Sequence, residues 1–152
     1  MKYIEILNLA DALSKLNLPG VKFAYAVAKN LNILKVEVQA LETARKTTED
    51  YNKFDKERIA LATKHAKKDD NGKPIVVGQN FEIENMEEFE YELAVLKEKH
   101  KEAIEKREAQ LKDFEDLLQK EVEIKLHKIA LEDVPQSITT KQMTDIYSLI
   151  EE

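Results

Sequence analysis

The chain has no cysteine and no tryptophan, and only 3 glycines and 3 prolines in 152 residues. Without cysteine there is no disulfide framework, no thiolate metal site and no thiol nucleophile. Three glycines cannot furnish a glycine-rich phosphate loop, and no Gly-x-Ser-x-Gly elbow or His-Glu-x-x-His pair occurs. No apolar run reaches the length of a membrane span. The N-terminus, Met1-Lys2-Tyr3-Ile4-Glu5, lacks the basic region and long apolar stretch of a secretion signal. These absences lead us to expect a soluble, cytoplasmic, non-enzymatic protein without cofactor or metal.

What is abundant points to helices. Charged residues make up 36% and hydrophobic residues 43% of the chain, with few residues spared for turns. The size suits a single domain, 1–152, with one modest core. Net charge is −6, which argues against non-specific nucleic-acid binding. The charge is uneven. Between Ile75 and Leu96 lie six acids (Glu82, Glu84, Glu87, Glu88, Glu90, Glu92) and no Lys or Arg, while Lys64, Lys67 and Lys68 precede them. These are either two solvated surfaces or paired subunit docking patches.

Apolar periodicity predicts a mainly α fold built on a long antiparallel, coiled-coil-like helical hairpin. Ile4, Leu7, Ala10, Leu13 and Leu16 mark an N-terminal helix within 1–18, stopped by Pro19-Gly20. Residues 21–66 read as the first long helix, with a seam at Val27, Leu31, Leu34, Val38 and Leu41. Further apolar residues widen this stripe beyond what one partner helix covers. Phe23, Val27, Leu31, Leu34, Val38 and Leu41 are therefore the candidate oligomer interface. Lys67 to Pro74 is rich in turn formers, and β-favouring residues flank Gly78 within 74–84, so a small hairpin or flap is expected there. Asn85 and Glu88 signal the start of the second long helix, 86–121. The period-two stretch from Val122 to Leu131 reads as a strand or extended segment, with a continued helix as the alternative; if extended, it could pair with the flap of its own or another subunit. A capped terminal helix then completes 122–152.

If the long helices face one another, Asn52 falls near His100, Arg45 near Arg107, and Thr48 near Ala103 and Ile104. This polar layer could be a solvated stutter, a register-fixing layer, or an anion pocket. In the last case Arg45 and Arg107 would hold phosphate, with Tyr51, Asn52 and His100 around a base.

The segment order resembles small, uncharacterised accessory proteins of tailed bacteriophages. The resemblance rests on the long charged helix and the turn Lys68-Asp69-Asp70-Asn71-Gly72-Lys73-Pro74. It also rests on the closing segment from Ile129-Ala130-Leu131-Glu132-Asp133-Val134-Pro135 to Ile150. It implies a protein of the host-cell cytoplasm that acts by binding. The partner would be another copy together with a host or phage protein. Such proteins also sequester nucleotide defence signals, and others are virion or tail assembly components.

Overall fold

A computed structural model describes residues 1–151, and the protein is mainly α-helical with short β segments. The elements are α1 (Tyr3–Ser14), α2 (Val21–Arg45), α3 (Glu49–His65), β1 (Val76–Val77), β2 (Asn80–Phe81), α4 (Met86–Lys99), α5 (Lys101–Leu118), β3 (Ile129–Ala130), α6 (Thr140–Ile146) and β4 (Ile150–Glu151). No described helix is long and apolar enough to cross a membrane. Where the sequence suggested one domain, the chain divides into two compact units: residues 1–45 with 113–152, and residues 46–112.

The first unit holds the larger core. Ile6, Leu9 and Leu13 form one stripe of α1 and pack with Phe23, Ala26, Val27 and Leu34 of α2, joined by Ile129, Ile146 and Leu149. Between Pro19 and α2, Gly20 adopts φ +113°, a left-handed conformation that side-chain-bearing residues rarely take. Its carbonyl accepts the Ala24 N–H at 2.9 Å, closing the first turn of α2. After α5 the chain runs extended rather than continuing the helix, and Val122, Ile124 and Leu126 all pack on the core.

This extended segment is anchored at three places, none of them the flap. Met1 O accepts the Val122 N–H at 2.9 Å, and the Tyr3 N–H donates to Lys120 O at 3.1 Å. At the centre, Asn30 is fully buried, and its amide makes both hydrogen bonds to the His127 backbone. At the far end β3 pairs in parallel with β4, Ile129 opposite Ile150. The expected pairing with the 74–84 hairpin is therefore replaced by pairing with the chain's own C-terminal strand. That partner was not legible because the strand is two residues long.

The second unit is a slender helical hairpin. Helix α3 lies antiparallel to α4, and the loop between them carries the expected β-hairpin, with Val76 opposite Phe81 and Val77 opposite Asn80. The Asp69 carboxylate accepts the backbone N–H groups of Asn71 and Lys73, both at 2.9 Å, and so shapes the preceding turn. Asn85 caps α4 as expected, accepting the Glu88 N–H at 3.2 Å.

Both long helices of the sequence reading are interrupted. The run 21–66 breaks at 46–48, where the Thr48 hydroxyl accepts the Tyr51 N–H at 3.2 Å and Glu49 and Asp50 occupy the first turn of α3. The polar middle of the seam is thus a helix start. A threonine oxygen satisfies a backbone donor that a continuous helix would have claimed. The run 86–121 breaks at His100, whose backbone leaves helical geometry between α4 and α5, and the second helix ends at Leu118.

The proposed oligomer interface is also corrected. Phe23, Val27, Leu34 and Leu41 are buried within the single chain, and Leu31 and Val38 are half-buried against the same core. The wide stripe is needed because α2 is covered on one side by α1 and on another by the extended segment. The charge patches, too, meet inside one chain: Lys64 pairs with Glu92 at 3.0 Å and Lys67 with Glu82 at 2.6 Å.

Candidate functional site

Four of the five polar residues singled out from sequence belong to the second unit. Arg45 is the last residue of α2 and belongs to the first unit, whereas Tyr51, Asn52, His100 and Arg107 belong to the second. Asn52 sits in the first turn of α3, where its side-chain oxygen accepts the Thr47 hydroxyl at 2.6 Å. The residue that meets His100 is Phe54, with ring centroids 5.6 Å apart, together with Glu57. The helices therefore face one another about one turn past the expected register. The offset follows the connecting β-hairpin, whose pairs Val76–Phe81 and Val77–Asn80 centre the turn later in the chain than the expected register assumed.

Tyr51 and Arg107 do come together. The guanidinium lies 5.8 Å from the Tyr51 ring centroid and donates to Gln110 Oε1 at 2.7 Å. The Gln110 amide in turn donates to Lys46 O at 2.9 Å. Phe54 packs on Tyr51 at 5.7 Å. The ring is engaged by two neighbours, and the guanidinium closes the start of α3.

The organising feature of this unit is a repeat. Phe54, Glu57, Lys64 and His65 recur thirty-five residues later as Phe89, Glu92, Lys99 and His100. Because the helices are antiparallel, each Lys-His pair reaches the Phe and Glu of the opposite helix. Glu92 lies 3.0 Å from Lys64 Nζ and 3.3 Å from His65 Nε2, and the His65 ring meets Phe89 edge-on at 5.8 Å. Glu57 lies 2.8 Å from Lys99 Nζ and 3.2 Å from His100 Nε2. Both imidazole Nε2 atoms are shielded from solvent and lack an aligned hydrogen-bond partner.

Lysine and histidine together hold each carboxyl below its usual range. Lys99 contributes most at Glu57, followed by His100; Lys64 contributes most at Glu92, followed by His65. Two equivalent clasps thus close the α3–α4 hairpin, one near each end. A search for internal repeats in the sequence would have found them.

One clasp borders an open cavity of about 310 Å³, to which Thr48, Lys53, His100 and Lys106 contribute. The lysines are already neutralised, Lys53 by Asp50 at 3.7 Å and Lys106 by Glu102 at 2.6 Å. An anion there would have to displace those carboxylates. Among the described residues no three His, Asp or Glu side chains cluster as metal ligands.

In the first unit, Asn30, Lys29, Tyr25 and His127 form a cluster that the sequence reading passed over. The available signal was a polar residue, Asn30, at a core position between Val27 and Leu34.

Set against protein-family models, curated proteins and solved structures, the chain matches none of them.

Proposed function

We propose that the protein is a non-enzymatic interaction module of phage-accessory type that self-associates and engages a host or phage protein through its second unit. One observation carries this reading. Between residues 46 and 112 only Phe54, His65 and Ala66 are buried, while Ile59, Val76, Val77, Met86, Tyr91, Val95 and Leu111 stay exposed. A unit with so little core gains stability by covering that surface with a partner. Tyr91 and Val95 lie one turn apart on α4, at 73% and 57% exposure.

Sedimentation of the purified chain tests self-association. A wild-type oligomer should become a folded monomer when Tyr91 and Val95 are both replaced by Glu. A wild-type monomer that also retains no protein from infected cells would overturn the reading. Sequestration of a nucleotide through Arg45, Tyr51, Asn52, His100 and Arg107 is less well supported. The Tyr51 ring is already engaged by Phe54 and by the Arg107 guanidinium. A virion or tail role would instead show as co-purification with particles.

A further inference from the structure

The α3–α4 hairpin repeats its clasp residues, but its exposed positions do not repeat in charge. In the same alignment Lys53 and Lys56 of α3 correspond to Glu88 and Tyr91 of α4, and Thr63 corresponds to Glu98. The outward side of α3 is therefore basic, with Lys53, Lys56, Ile59 and Ala60 exposed. The outward side of α4 is acidic, with Glu88, Tyr91, Val95 and Glu98 exposed. Each set recurs at three- and four-residue spacing, which places it on one side of its helix.

The chain makes little use of these charges itself. Among the described residues no carboxylate pairs with Lys56, and no Lys or Arg pairs with Glu88 or Glu98. Lys53 reaches only Asp50, at 3.7 Å. Ile59, Tyr91 and Val95 are large apolar side chains left open among them. One hairpin thus carries both halves of a charge-complementary contact with an apolar centre. The occupant that supplies the missing half to each side is a second copy of the same hairpin.

We propose that two copies of the chain pair through these sides, α3 of one against α4 of the other, as an isologous four-helix arrangement. Within the chain Glu57 lies level with Lys99, and Lys64 with Glu92. A two-fold axis parallel to the helices preserves those levels. It sets Lys56 near Glu98 of the second copy and Ala60 near its Val95, and repeats both contacts in reverse. Apolar side chains then meet at the centre, with opposite charges at the rim. The same pattern selects against the other pairings: α4 against α4 would bring acids together, and α3 against α3 would bring lysines together. The proposal rests on self-association through the second unit and adds which helices meet and in what symmetry.

Sedimentation equilibrium of the full chain reads the pairing, and the wild type should be a dimer. Lys56→Glu and Glu98→Lys should each weaken that dimer at least about tenfold, because each sets like charges together at both contacts. Combining them in one chain should restore affinity to within about threefold of the wild type. Mixing the two single variants should give a heterodimer tighter than either variant's own dimer, since both contacts then regain opposite charges. Circular dichroism checks that each variant, altered only at exposed positions, stays folded. A dimer indifferent to both substitutions, or weakened by them and rescued neither by combination nor by mixing, overturns the pairing and leaves self-association through the second unit standing. A monomeric wild type overturns the pairing together with self-association. A wild type whose Tyr91 and Val95 hold a foreign protein instead assigns the face to that partner and overturns the pairing too.

Discussion

Asn30 and His127 exchange a pair of hydrogen bonds that ties the extended segment to α2. Replacing the fully buried Asn30 with Ala removes the partner of a backbone N–H and of a backbone C=O of half-buried His127, at 2.8 and 2.9 Å. A buried donor or acceptor left unsatisfied costs about 1–3 kcal/mol, so the two together should cost about 2–6 kcal/mol. Against a total stability of about 5–15 kcal/mol, that is a large fraction. Urea denaturation reads it directly, as a lower midpoint with an unchanged slope. Hydrogen exchange adds a local check: the His127 amide should lose protection well beyond what global destabilisation explains. Asn30→Asp keeps an acceptor for the His127 N–H but sets a carboxylate oxygen against the His127 carbonyl, and should be at least as damaging at neutral pH. A loss below about 0.5 kcal/mol for Asn30→Ala would refute the reasoning, since that is the scatter of ordinary surface substitutions.

Three other outcomes follow from the same structure. Leu34 is completely buried, so Leu34→Asp should unfold the first unit, seen as loss of helical circular dichroism; retention of the fold would place Leu34 outside the core. Thr48→Ala removes the cap that starts α3 and should cost about 1 kcal/mol in thermal or urea unfolding. Glu57 and Glu92 have folded pKa values below the unfolded ones, so their contribution is present above the usual carboxylate range and is lost as pH falls through the folded values. Melting temperature should therefore drop on acidification below about pH 4.5, and the Glu57→Gln, Glu92→Gln double variant should show a shallower acid limb.

The helical class, the N-terminal helix, the turn at Asp69, the hairpin near Gly78 and the cap at Asn85 were all legible in the sequence. Each depends on neighbouring residues alone: apolar spacing, a left-handed glycine, or a side chain that reaches a backbone group three positions on. The start signal at Thr48, Glu49 and Asp50 was equally local, but it was outweighed by an apparent seam running through it. The Phe-Glu-Lys-His repeat was also present in the sequence, legible by comparing the chain with itself.

Other features came only from tertiary structure. Apolar width along α2 looks the same whether a second subunit or the chain's own extended segment covers it, because hydrophobic burial has no direction. The facing register of α3 and α4 is set by the β-hairpin that joins them, Val76 opposite Phe81. The pairing of β3 with β4 joins residues that no local pattern connects. The same holds for Lys29, Tyr25 and His127, which meet because Asn30 holds a distant strand. Local chemistry determined which elements form; the choice among apolar partners, and with it the clusters that the surface presents, was made only when the chain folded on itself.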